Sequence, residues 1–274
     1  MFDNHVHTRF SADSAAEPRD AIGAARAAGL SGIVFTDHWD IGYKSFNAGN
    51  MEPRQYSRGE IRDYRTSGGG FSVFVGIELG PTPAVRGEVD AAMAGAGFDF
   101  VLLSAHYAAT GAGTPSETLY PQCEYGALFE RLPKPEAHAA YLETLISLVD
   151  AYGDFDALGH FDYVSRYSPY EDPLMRYRDC AGQFDALFGR LIARGKALEI
   201  NTATYRRLGR RFPLDKDIVR RYAELGGELL CLGSDAHRAQ DVGCLFGEFR
   251  DVLLSCGVRA LAHFEQRKPV VEKL

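Results

Sequence analysis

A chain of 274 residues can bury a core the size of a single α/β barrel, and 46% hydrophobic with 24% charged residues is an ordinary globular composition. The formal net charge of −7 argues against nucleic-acid binding as the main business, yet it leaves room for an anionic small substrate, because bound metal ions invert a local field. Five cysteines without a C-x-x-C pair read as reduced thiols of a cytoplasmic protein, and neither a signal peptide nor an apolar run of bilayer length is seen.

In chain order, β-like runs are expected at 2–8, 32–36, 71–77, 98–104, 155–159, 197–201 and 228–233. Helical periodicity lies between them at 18–28, 135–152, 174–193 and 214–225, with Gly29 and Gly226-Gly227 as stop signals. About seven strand–helix units predict a parallel sheet closed, or nearly closed, into a barrel, with residues 1–274 as one domain. The segment 108–135, rich in Gly, Thr and Pro, reads as a loop or lid near the site. Gly68-Gly69-Gly70 lacks a P-loop lysine or a dinucleotide signature and reads as a turn.

The chemistry concentrates where these strands end. His5 and His7 are two residues apart, so an extended strand points both imidazoles to one side, and Asp235 and His237 repeat the spacing in the last strand. Asp37 and His38 are adjacent and point to opposite faces, so His38 is expected to bind directly, with Asp37 behind it orienting an imidazole. Asp13 can reach back from the loop after the first strand, and Glu78 can bridge two cations through its two oxygens. His106 and His160 sit at further strand ends. One histidine at a strand end is usually just a satisfied polar residue. Two spaced pairs with further candidates at successive strand ends point instead to a multinuclear metal site. His138 and His263 fall in helix-like stretches and are read as ordinary helix residues.

Through HVHTRFSADS, FTDH, VGIELG, SAHY, GHFDYVSR, LEINTA, LGSDAH and the closing FEQRKPV, the chain resembles the polymerase-and-histidinol-phosphatase (PHP) superfamily of metallophosphoesterases. Within it, the similarity is to the monofunctional histidinol-phosphate phosphatases. The resemblance implies a distorted (β/α)7 barrel with two or three divalent ions (Zn, Fe or Mn). It implies one metal on His5, His7, Glu78 and Asp235, a second on Asp13, His38 and His237, and a third on Glu78, His106 and His160. Histidine takes the place of Asp13 in many relatives, and a carboxylate there shifts preference from zinc towards iron or manganese.

The expected reaction is hydrolysis of L-histidinol phosphate by attack of a metal-bridging hydroxide. The leaving alkoxide would take its proton from a metal-bound water, Asp235 or His237. Arg166, which matches an arginine of the family pattern, and Arg206 or Arg207 are expected to bind phosphate oxygens with their planar guanidinium groups. The alternative keeps the metal site and changes the substrate to another small phosphate ester or nucleotide. An amidohydrolase-type enzyme also opens with H-x-H, but no lysine ends a middle strand here to bridge metals. A non-enzymatic accessory domain of this superfamily usually lacks some of the ligands. The expected partner is a small phosphorylated substrate, with no nucleic acid and no membrane.

Overall fold

The computed structural model describes residues 1–42, 52–108, 128–209 and 213–274. Its sheet is parallel and follows chain order: β1 (Phe2–Val6), β2 (Gly32–Phe35), β4 (Ser72–Pro81), β5 (Phe100–Leu103), β6 (Ala157–Leu158), β7 (Ala197–Asn201) and β8 (Leu230–Gly233). Just past β8, a parallel bridge between Ala236 and Val6 brings the last strand's end against the first. The result is a nearly closed seven-strand barrel. The strands read as continuous Val, Ile, Leu and Phe runs because both faces are covered: SVFVGIELGP is buried at every position.

β4 is longer than its neighbours, and two segments share it. β2 pairs with its first half, Gly32 opposite Ser72, while β3 (His38–Ile41) pairs with its second half and sets His38 opposite Glu78. The break at Thr36 and Asp37 therefore carries the second strand onward towards the barrel's C-terminal mouth. In β1 the register with β2 shifts between Asp3 and Val6, a bulge that changes which residues face inward.

Helices cover the outside, including Pro18–Ala27, Lys134–Ala151, Ala181–Ala193 and Lys216–Glu224. The first starts with proline in its opening turn and stops before Gly29, whose φ of +70° suits glycine. The predicted helix 174–193 is shorter than expected, since its first part is a separate 3-10 turn at Tyr177–Asp179. Of the predicted 108–135 loop, 109–127 lie outside the described residues, and 128–131 are helical. Gly68, Gly69 and Gly70 all have positive φ, as a turn requires. No helix among the described residues is long and apolar enough to cross a membrane.

The reading of His263 as a helix residue fails. His138 is helical, but His263 lies in β9 (Ala260–Glu265), paired antiparallel with β10 (Lys268–Lys273). The intervening Gln266 and Arg267 both have positive φ without the Gly or Asn that usually announces such a turn. This hairpin closes the N-terminal end of the barrel. Phe264 and Ala262 join Phe2, Phe74, Phe100 and Leu102 in the interior cluster, and the His263 ring stacks on Phe2 at 3.7 Å. Arg267 ties the turn to Asp156, and its backbone N–H donates to the Asp99 carbonyl.

Candidate metal centre

At the opposite end the inward-facing side chains change from apolar to ionisable. The β1 bulge lets Phe2 face the interior plug while His5 and His7 face the mouth. Around them, His5 Nε2 lies 3.0 Å from His7 Nε2, 3.3 Å from Glu78 Oε2 and 3.7 Å from Asp235 Oδ1. His7 Nε2 is 3.4 Å from both carboxylate oxygens. A tetrahedral shell with bonds of about 2.0–2.1 Å places neighbouring donors roughly 3.3–3.4 Å apart, so the two imidazoles stand close to the spacing of a divalent-metal shell from each other and from each carboxylate.

A second group, more open, joins Asp13 Oδ2 to His237 Nε2 at 3.1 Å and to His38 Nε2 at 3.6 Å, with the two ring nitrogens 3.4 Å apart. In a third, Glu78 Oε1 lies 2.9 Å from His160 Nε2 and 3.3 Å from His106 Nε2. Glu78 is common to the first and third groups, and its Oε2 also sits 2.8 Å from His38 Nδ1. Glu78 Oε2 and His38 Nδ1 are buried, yet neither makes a hydrogen bond. Imidazole nitrogens and carboxylate oxygens converging at these separations, two of them buried without a hydrogen-bond partner, are what a cation site looks like, so the residues fit divalent metals.

The electrostatics agree. Burial opposes charge on His5, but Glu199, Glu78 and Asp235 outweigh it and hold its pKa well above the ordinary value. His38 is raised in the same way by Glu78 and Asp13, and His106 is pushed up to about 10 by Asp40 and Glu78. Burial together with the neighbouring His237 and His38 pushes His7 well down, and burial also lowers His160. Burial works against ionisation of Glu78, yet the His5, His38 and His106 charges bring its pKa well below the usual range. Without metal, protons on several imidazoles balance the carboxylates, and a dication can take their place.

Further residues orient these ligands. Glu199 Oε1 lies 2.7 Å from His5 Nδ1, and Asp40 Oδ1 lies 2.7 Å from His106 Nδ1. Each fixes the tautomer that leaves Nε2 free for metal. Sequence reasoning passed over both. Glu199, a lone carboxylate in the fully buried strand ALEIN, carried a signal of the same kind as Glu78. Asp37 departs from expectation, because its oxygens accept from Thr8, Ser11 and Tyr56 and reach an imidazole only through Ser11. The break before β3 turns its carboxylate towards the 8–11 loop.

Two glycines make room. A Cβ at Gly233 would stand 1.9 Å from Glu199 Oε1 and 2.6 Å from His5 Cβ, and one at Gly80 would stand 1.8 Å from Asp40 Oδ1. Asp235 itself takes a left-handed φ of 50°, a conformation aspartate tolerates better than most residues.

Beside the centre lies a cleft of about 810 Å³ whose lining includes Asp13, Asp235, His237, Arg166, Arg206 and Arg207. Arg166 is buried and held at three nitrogens: Nη1 lies 2.8 Å from Asp235 Oδ2, Nε donates to Thr204 and Nη2 to Asn201. Arg206 donates to the Ser234 and Asp235 carbonyls, so part of its capacity holds the ligand loop in place. Arg207 has no comparable anchor on that loop.

Residues 3–203 match the family described as PHP domain; Asp235 and His237 lie beyond the matched stretch. A probable histidinol-phosphatase of Clostridium acetobutylicum is 29% identical over 97% of this chain and 98% of its own. The histidinol-phosphatase of Lactococcus lactis is 27% identical over 97% of this chain and 95% of its own. A crystal structure of histidinol phosphate phosphatase from Lactococcus lactis, complexed with zinc, L-histidinol and phosphate, superposes with a TM-score of 0.77 at 26% identity, covering 98% of both chains. With the barrel, the ligand-bearing strand ends and a family match over most of its length, the chain belongs to the PHP domain family.

Proposed function

We propose that this protein is a metal-dependent phosphomonoesterase that hydrolyses L-histidinol phosphate to L-histidinol and phosphate. The observation that carries the reading is a run of overlapping donor groups (His5 with His7 and Asp235, His7 with His38 and His237, His38 with Asp40 and His106, Glu78 with His106 and His160) beside a cleft with arginines in its wall. Its support in substrate is the full-length similarity to relatives named histidinol-phosphatase, one of them crystallised with zinc, L-histidinol and phosphate.

His5, His7, Glu78 and Asp235 would hold one divalent ion, Asp13, His38 and His237 a second, and Glu78, His106 and His160 a third. The carboxylate at Asp13 makes the second group harder, favouring iron or manganese there over zinc. When bound, such ions neutralise the phosphate dianion and lower the pKa of the attacking water. The remaining work belongs to the chain. Arg166 is fixed by three partners and keeps further N–H groups for phosphate oxygens at the wall of the cleft. Arg207, in the wall of the cleft, would meet the outer part of the substrate, and Arg206 steadies the 234–235 backbone.

Burial opposes ionisation of Asp235, but Arg166 and His5 hold its pKa well below the usual carboxylate range. It therefore serves as a ligand and not as a proton donor. Protonation of the departing alkoxide falls to water at the cleft.

The test is a kinetic panel: metal-reconstituted protein with L-histidinol phosphate, other small phosphomonoesters, nucleotides and a phosphodiester. We expect kcat/KM for L-histidinol phosphate to exceed the other phosphomonoesters by ~10²-fold or more, about 3 kcal/mol of discrimination. A flat profile would reject the substrate and keep the phosphoesterase.

A further inference from the structure

We propose that Ser11 and Asp37 form a positioning pair shared by two of the three metal groups, so that one buried hydroxyl sets ligands for both. The proposal rests on the metal reading above and goes beyond it by assigning which ligands stand or fall together. Ser11 Oγ is 2.7 Å from Asp37 Oδ1, 3.0 Å from His7 Nδ1 and 3.0 Å from the backbone N of His38. A serine hydroxyl has one proton and two lone pairs. Asp37 can only accept when ionised, so the proton goes to it, and both lone pairs are left for His7 Nδ1–H and His38 N–H. That order fixes His7 as the tautomer whose Nε2 faces the first group. It also pins the start of β3, from which His38 serves the second group. Asp13, the other anchor of that group, follows Ser11 by two residues.

Asp37 is itself immobilised. Its Oδ1 accepts from the Thr8 backbone N–H, and its Oδ2 from Thr8 Oγ1 at 2.8 Å and Tyr56 Oη at 2.7 Å. Ser11 and Asp37 are each 2% exposed, and Tyr56 is 3% exposed, so water does not compete for these bonds. The third group draws on a different support, since Asp40 holds His106 from β3. The structure thus contains two supports for one continuous cluster of ligands, which meet at His38, 3.7 Å from the other Asp40 oxygen.

The experiment is zinc uptake by metal-free wild type, Ser11→Ala, Ser11→Thr, Asp37→Asn and Asp40→Asn at graded free zinc, with metal per chain counted by mass spectrometry. Circular dichroism checks the fold. Loss of a partner behind a metal ligand weakens binding by about 10–100-fold. We expect Ser11→Ala and Asp37→Asn to weaken the same zinc equivalents by that factor, and Asp40→Asn to weaken a different one. Ser11→Thr, which keeps the hydroxyl, recovers at least part of the loss. Nitrogen NMR of the His7 ring, with its proton on Nδ1 in wild type and shared between tautomers in Ser11→Ala, separates positioning from a general loosening. An isotherm for Ser11→Ala that overlays wild type, or one in which every equivalent shifts together, overturns the proposal. A wild-type protein that takes up no zinc, iron or manganese overturns it and the metal reading with it. If Ser11→Ala does not fold, Asp37→Asn and the partial recovery in Ser11→Thr decide the question by the same criteria.

Discussion

The two ends of this barrel are built from the same strands by opposite means. β1 carries Phe2 at one end and His5 at the other, and β4 carries Phe74 and Glu78. At the N-terminal end, Phe2, Phe74, Phe100 and Phe264 fill the interior and the hairpin covers them, so apolar burial stabilises the fold. At the other end, Glu78 is fully buried among five imidazoles, where burying charge works against folding unless it is compensated. Stability and chemistry are thus separated along each strand by only a few residues.

The sharpest way to break this contrast is Glu78→Gln. Because Glu78 serves the first and third groups directly and touches His38 of the second, we expect kcat/KM to fall by ~10³-fold or more, matching the several kcal/mol that metal ions supply to such reactions. Metal per chain should fall with it. Retained metal with retained turnover would remove Glu78 from the centre. Phe74→Ala probes the opposite end. It should reduce unfolding free energy by about 3–5 kcal/mol while metal content and KM of the folded protein stay as in wild type. A variant that lost metal at full stability would show that the two ends are not independent.

The smallest effect concerns the metal-free protein and its pH. His106, raised from 6.5 to about 10, contributes stability that is fully present below pH 6.5 and is lost as pH rises through 10. His5 and His38 are shifted in the same direction. His7 and His160, shifted downwards, change nothing above 6.5. The thermal midpoint of metal-free protein should therefore drop between pH 6.5 and 10, while metal-loaded protein, whose imidazoles are already neutral ligands, stays level. Equal slopes for the two forms would contradict the assigned charges.

The ligands were readable because their spacing is local: H-x-H and D-x-H need only an extended strand to align them. The seven-unit barrel was readable for a similar reason, since buried parallel strands are unbroken apolar runs. What escaped depended on partners distant in sequence. The hairpin holding His263 turns on Gln266 and Arg267, which carry no turn signature, and its strand identity comes from pairing with β10. Asp40 and Ser11 look like ordinary loop and strand polar residues until folding sets them against His106 and His7. The break after Phe35, which redirects Asp37 from an imidazole to Ser11, follows from β4 being long enough to pair with two segments.

Gly233 and Gly80 extend this to inheritance. Neither bears a donor atom, yet the space above each Cα is filled by the carboxylate that orients a ligand. The mildest replacement a glycine can receive, a single methyl group, displaces Glu199 or Asp40 as surely as deleting it. Among descendants of this chain, these two silent positions should drift no faster than the histidines they stand behind.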